Sequence, residues 1–316
     1  MQPYKLVVYG DVAMDILVRV EAMPALGQDA LAEQITLAPA GSAANCAAVA
    51  ARLGAAVEFV GLTGRDALGD LLMEDLRSFG VGLRHLRQAE GVAAVVVAIV
   101  NGEGERTMYS QRGISATQPY GALPGDLLAA GDCLHLSGYS FQDEYGKASA
   151  LALIEQARRA GARVSLDPSF HFARQFVSEH AASLPQLDYL FPNQEEAALM
   201  SGVADPAEAA RRLQRCVAQS VVVKLGGQGC LVATAQDCLH VPALPAPRVV
   251  DTTGAGDAFC GGFLYAILQG WTPLAAARLG HAAAVQVIGQ VGGRRTAPTW
   301  ADVAPCLTGY LHERLT

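Results

Sequence analysis

"DTTGAGDAFCGGFLYAILQG", Asp251 to Gly270, joins a glycine-rich opening to a long apolar run. The pattern predicts a loop feeding a helix that starts near Ala255, and such a helix mouth offers an anion unpaired backbone amides and about half a positive charge. Gly254 and Gly256 let a ligand approach the backbone closely. A carboxylate, Asp257, stands in the same mouth. One reading makes it a structural acid at the helix terminus. The other makes the mouth a phosphoryl-transfer site, with the amides of Ala255, Gly256 and Asp257 stabilising the moving charge. Asp257 then orients the attacking hydroxyl and takes its proton late, because the transition state is loose. A reference pKa of roughly 3.9, expected to fall further at a helix N-terminus, suits that role and no stronger base chemistry.

Two other nucleotide sites are excluded or disfavoured. No G-x-x-x-x-G-K-[ST] run exists, so the chain is not a P-loop protein. The first strand, in "VVYGDVAMD", is followed by one glycine where a dinucleotide fingerprint needs three, which argues against a nicotinamide enzyme.

Outward from the helix mouth, β-rich runs alternate with Ala- and Leu-rich helical stretches: "KLVVYG" then "SAANCAAVAARLG", "VEFVG" then "LGDLLMEDLRSFG", "CLHLSG" then "YGKASALALIEQARRAG". Apolar strands between amphipathic helices predict an α/β fold, a doubly wound and mostly parallel sheet with helices on both faces. Residues 14–38 and 91–110 break the rhythm with strand-like runs and turn signals. They are expected to form a small discontinuous β lid on a single domain spanning 1–316, although two ordinary hairpins fit the pattern as well.

Composition narrows the classes further. The 316 residues carry a net charge of -7, with 51% hydrophobic and 17% charged residues and no basic run, which disfavours a nucleic-acid surface. The longest apolar run, Val92 to Val100, is too short for a membrane helix, and the N-terminus lacks the pattern of a signal peptide. A cytoplasmic protein is expected. The seven scattered cysteines, Cys46, Cys133, Cys216, Cys230, Cys238, Cys260 and Cys306, form no C-x-x-C pair and read as free thiols.

"DTTGAGDAF" resembles the C-terminal signature of the ribokinase-like (PfkB-type) carbohydrate kinases, and further motifs follow that family's order along nearly the whole chain. "GDVAMD", at the end of strand one, would supply Asp15 and secondarily Asp11 to the acceptor, Asp11 having the alternative of pairing with Arg106. "PAGSAANCAAVAARLG" would place Gly41 and Asn45 against the sugar, with helix capping as the other use of Asn45. "GLTGRDALG" reads as a structural turn and helix start.

On the nucleotide side, "PNQEE" would give Asn193 and Glu196 to the magnesium and phosphate environment, and "KLGGQG" would bring Lys224, Gly226 and Gly229 near ATP. His281 would lie near the adenine or else pack in its helix, and Asp167, in "SLDPSF", suits a turn as much as the cleft. The resemblance implies an ATP- and Mg2+-dependent sugar kinase acting on a hydroxyl, with Asp257 as base and Gly254, Ala255 and Gly256 as anion hole. It also implies K+ near Asp251 and "VGGRRT". Exposed strands invite pairing, so a homodimer through the lid edges is a further expectation. A nucleoside kinase on the same scaffold and a silent sugar-binding regulator remain as alternatives.

Overall fold

The computed structural model describes residues 4–103, 105–121, 124–176, 187–290 and 292–307. Its strands, in chain order, are β1 Lys5–Tyr9, β2 Ala13–Arg19, β3 Gln34–Ala40, β4 Ala56–Gly64, β5 Gly82–Ala89, β6 Ala94–Val100, β7 Arg106–Gln111, β8 Cys133–Ser137, β9 Arg163–Asp167, β10 Leu187–Leu190, β11 Val217–Lys224, β12 Cys230–Ala233 and β13 Cys238–Val241. The helices are α1 Ser42–Leu53, α2 Ala67–Ser78, α3 Glu144–Ala160, α4 Phe170–Gln175, α5 Gln194–Ser201, α6 Pro206–Gln214, α7 Ala255–Leu268, α8 Pro273–Val287 and α9 Trp300–Val303.

Nine strands form the main sheet in the order β13-β12-β11-β10-β9-β8-β1-β4-β5. It is parallel from β5 through β11 and turns antiparallel only at β12 and β13. The period of two explains how one strand serves two cores. Leu6 and Val8 of β1 enter the core shared with α1, α7 and α8, whereas Val7 and Tyr9 enter the core under α3 and α6. α7 is apolar nearly all round because it is buried between sheet and helices. Gly261 keeps it close to α1: a Cβ there would come within 2.7 Å of the Cys46 carbonyl oxygen.

The chain runs from β1 to β4 and β5 on one side, then returns to β8 on the other. That reversal opens a crevice beyond the carboxyl ends of β1 and β8, where open α/β sheets take their ligands.

A second sheet has the order β3-β2-β6-β7 and draws its strands from the two segments that break the helix–strand rhythm. Its bounds start at Ala13 and end at Gln111. One sequence expectation is corrected here: β1 ends at Tyr9, so Asp15 is not at the end of strand one but the third residue of β2, on the small sheet. Asp66 of the "GLTGRDALG" turn caps α2 through the Gly69 amide (2.8 Å) and also accepts the Ala93 amide (2.9 Å), tying the core to the entry of β6. Among the described residues no helix is long and apolar enough to cross a membrane.

Candidate active site

The site is built where α1 and α7 point their N-termini at the crevice. Gly41 caps α1 at φ +107, and a Cβ there would overlap the Asp11 carbonyl, so the crossing of these two loops requires glycine. The Asp11 carboxylate accepts the Ser42 amide at 2.8 Å and reaches the Ala43 amide at 3.5 Å. Asp11 therefore anchors the start of α1, where the helix dipole favours an acid. The side chain of Arg106, its other expected partner, lies outside the described residues.

Asp257, in the first turn of α7, is only partly exposed. The Ser42 hydroxyl donates to its Oδ1 at 2.7 Å and the Asn45 amide Nδ2 donates to its Oδ2 at 2.8 Å. Asn45 is buried, and its Oδ1 accepts from Arg294 Nη1 at 3.2 Å. A carboxylate on one side and a guanidinium on the other leave that amide a single orientation. Asn45 is thus a link to Asp257 and not a helix cap.

Arg294, at 1% exposure, completes the chain. It donates from Nη1 to the Ala40 carbonyl (2.9 Å) and from Nε to Asp75 Oδ2 (2.7 Å). Replacing it as Arg294→Met removes one partner of a pair whose acid, Asp75, keeps 25% of its side chain exposed. The stability loss in a chemical melt is therefore expected to stay below the roughly 3–5 kcal/mol of a fully buried pair. Turnover should also fall, by about tenfold, because Asn45 loses the donor that fixes it.

Burial is the largest influence on Asp257 and, with the nearby Asp167 charge, pushes its carboxyl up to about 6 against the lowering effect of Asn45, Ser42 and Lys224. The expectation that the helix terminus would lower it is corrected: desolvation outweighs the dipole. The acid is thereby better matched to accepting a proton near neutrality.

Gly254 caps α7 in the left-handed conformation at φ +77, pressed against the Gly293 backbone. The Ala255 amide is already donated to the Thr252 carbonyl at 3.2 Å. Among the described residues the amides of Gly256 and Asp257 have no such partner, so the open donors are two where the sequence suggested three.

Lys224 closes the mouth. A Cβ built on Gly256 would come within 3.2 Å of its Nζ, which pairs with Asp167 Oδ1 at 2.6 Å. Burial alone would lower the ammonium, but Asp167, Cys260 and Glu196 hold it above the ordinary lysine value, so it is a permanent cation. Asp167, at the carboxyl end of β9, is the residue that sequence reasoning left undecided, and it belongs to the cleft. Its Oδ2 accepts from the Cys260 thiol at 3.5 Å.

Asn193 and Glu196 sit beside Lys224, whose amide bonds the Pro192 carbonyl at 2.8 Å. They form a capping box on α5: Asn193 Oδ1 accepts the Glu196 amide and Glu196 Oε2 accepts the Asn193 amide, both at 2.9 Å. Burial pushes Glu196 up to about 7 despite Lys224, leaving a carboxylate short of positive charge. Gly226 and Gly229 shape the turn from β11 to β12, with Gly229 at φ +99 packed on the Val241 carbonyl.

Asp251 clasps two loops together: its Oδ1 accepts the Thr253 amide (2.9 Å) and hydroxyl (2.7 Å) and its Oδ2 the Gly292 amide (3.2 Å). His281 is buried, edge-on to Phe259 at 5.0 Å and lowered to about 4 by burial, which is the packing alternative the sequence offered. Arg294 and Ser42 were missed. A serine after the helix-capping glycine was a legible hint, whereas nothing in "VGGRRT" marks its first arginine as buried.

Comparison with known proteins places the chain in a family. The chain is 30% identical to a fructokinase of Klebsiella pneumoniae over 82% of its own length and 83% of the relative's. It superposes on the ribokinase of Arabidopsis thaliana, solved with ribose and ATP, with TM-score 0.82 and 26% identity, covering 97% of this chain and 99% of that one. A nucleoside kinase of Methanocaldococcus jannaschii shares the fold at TM-score 0.82 and 21% identity, covering 97% and 98%. The pfkB family carbohydrate kinase model matches residues 4–300, and with the paired helix mouths in place the chain belongs to that family of hydroxyl-phosphorylating enzymes.

Proposed function

We propose that the protein transfers the γ-phosphoryl group of ATP to a primary hydroxyl of a small sugar, with Asp257 as the group that orients the hydroxyl and takes its proton. The observation that carries this reading is the Asp257 carboxylate, held on both oxygens by Ser42 and Asn45 at the tip of α7, beside two unpaired amides and the Lys224 ammonium.

Asp15 on β2 and Gly41 with Asn45 on the core border the acceptor from opposite sides. Asp257 aligns the hydroxyl oxygen with the γ-phosphorus. As that bond forms, the bond from phosphorus to the bridging oxygen of the departing ADP breaks, and the proton passes to Asp257. The Gly256 and Asp257 amides and Lys224 neutralise charge on the moving phosphoryl oxygens. The small sheet closes over the acceptor as a lid and excludes water, which protects ATP from hydrolysis.

Magnesium bound with the nucleotide supplies charge neutralisation between phosphates. Glu196 and Asn193 fit its surroundings, since a cation near Glu196 would relieve the carboxylate that burial has raised to about 7. Asp251, which joins the Thr253 loop to the Gly292 loop, would position those loops around a monovalent ion. The reading includes work in the cytoplasm, and pairing of two lids through their edge strands β3 and β7.

Nucleoside phosphorylation is the second reading, favoured by Tyr9, Tyr120 and Tyr145 around a pocket beside Asp11. At ≈ 20 Å³ that pocket holds little more than a water and is far below the roughly 300–1,000 Å³ of small-molecule sites, so it does not seat a base. A phosphorylation screen with ATP over paired sugars and nucleosides separates the two: turnover of nucleosides alone would sink the sugar assignment. The kcat/KM profile adds a second check. With a free-enzyme Asp257 near 6, it should fall about tenfold per unit of pH below that value.

A further inference from the structure

Ser42 is the first residue of α1, and its hydroxyl does not serve the helix it begins. Gly41 is the cap, without a side-chain hydrogen bond, and the Asp11 carboxylate takes the Ser42 amide at 2.8 Å. With the start of α1 anchored in this way, the Ser42 hydroxyl reaches across to α7 and donates to Asp257 Oδ1 at 2.7 Å. Among the described residues it is the only hydroxyl on that carboxylate, the other donor being the Asn45 amide. The hydroxyl of Thr253, in the loop that leads to α7, is given to Asp251 at 2.7 Å.

The Ser42 hydroxyl therefore stands as the mechanism asks an acceptor to stand. It is a primary alcohol hydrogen-bonded to the base, beside the unpaired Gly256 and Asp257 amides and the Lys224 ammonium. It is also partly exposed, whereas Asn45 is buried. A serine that merely positioned Asp257 would have the same hydrogen bond, but it would never carry phosphate.

We propose that, with ATP bound and no sugar in the crevice, the protein phosphorylates its own Ser42. The inference rests on the kinase reading above and adds a second acceptor to its site. The bond from Ser42 Oγ to the γ-phosphorus forms as the bond from phosphorus to the bridging oxygen of ADP breaks, and the hydroxyl proton passes to Asp257 Oδ1. Asp257 is then neutral, and the new phosphate lies at the N-terminus of α1, where helix amides favour it. The opposing charge is Asp11, so the transfer is slow. A typical turnover of about 10 s⁻¹, reduced about 10⁴-fold by misalignment and by that charge, leaves a half-time of roughly ten minutes. Phosphate on Ser42 occupies the approach to Asp257, so a modified molecule no longer phosphorylates sugar.

The test incubates the full chain with ATP and Mg2+ for several hours without sugar, then locates any added phosphoryl group by intact-mass and peptide-fragmentation spectrometry. One phosphoryl group on Ser42 is expected. Saturating sugar acceptor should suppress it, and sugar turnover, measured after ATP is removed, should fall in proportion to the labelled fraction. Asp257→Asn should label at least about 10²-fold more slowly, and Ser42→Ala not at all. The proposal is overturned if wild-type Ser42 stays unlabelled, if the label sits on another residue, or if labelled protein keeps full turnover. Undiminished labelling of Asp257→Asn would also overturn it, since a separate kinase would then be the source. Sugar phosphorylation by a chain whose Ser42 stays unlabelled removes this inference alone; failure of both sugar and Ser42 to take phosphate removes the kinase reading with it.

Discussion

Asp257→Asn lowers kcat by at least about 10²-fold and leaves ATP affinity nearly intact. The amide fills the same space and can still accept from Ser42, but it cannot take a proton from the acceptor hydroxyl, and it sets one amide against another at Asn45. The nucleotide should not notice, because in the proposed mechanism its terminal phosphate is met by backbone amides and Lys224, which lies beside Gly256. Stability also separates a functional acid from a structural one. A carboxyl raised to about 6 is destabilising once it ionises in the folded protein, so at pH 7 the neutral asparagine should melt no lower than wild type, apart from the hydrogen bond that is lost. A structural cap would show the opposite pattern, with a lower melting temperature and near-normal turnover. ADP release assays, calorimetry with ATP and a thermal melt together distinguish the two.

Lys224→Met should be the second large loss. Asp167 and Lys224 are 8% and 17% exposed in their side chains and 2.6 Å apart, so removing the cation leaves a nearly buried carboxylate alone. A stability cost of roughly 3–5 kcal/mol is expected for breaking such a pair. Turnover should fall about 10²-fold or more, since in the proposed mechanism the ammonium beside Gly256 stabilises charge that develops during transfer. The double variant Asp167→Asn/Lys224→Met separates the effects. It should recover most of the lost stability and little of the activity, because the uncompensated charge is gone while the mouth still lacks its cation. Recovery of both would reduce Lys224 to a structural partner of Asp167.

The central architecture was legible because its physics is local. Buried parallel strands such as "KLVVY" are apolar on both faces, and α7 announces itself by glycines leading into an apolar run. β5, β12 and β13 were harder. β5, "GLRHLRQA", is an edge strand with arginines and a histidine, and β12 with β13 are four-residue strands too short to show a period. The two segments of the small sheet broke the pattern visibly, yet their parallel pairing of β2 with β6 is a long-range contact that sequence order does not reveal.

At the site, Asp257, Gly254 and Lys224 could be read from motif chemistry, but their energetics could not. The pKa of Asp257 depends on Asp167, 90 positions earlier in the chain, and on how far α1 buries it. Arg294 was illegible for the same reason. An arginine in a glycine-rich loop reads as solvent-facing, and only the packed structure turns it inward to Asn45, Ala40 and Asp75.

The most direct measurement follows the γ-phosphoryl group itself by phosphorus NMR as the enzyme consumes ATP with its preferred sugar acceptor. A sugar phosphomonoester should appear in step with ADP in the wild-type reaction and be nearly absent over the same period with Asp257→Asn. Ester formation at an undiminished rate in that variant, or ADP accompanied only by inorganic phosphate in the wild type, would contradict the assignment of the α7 mouth.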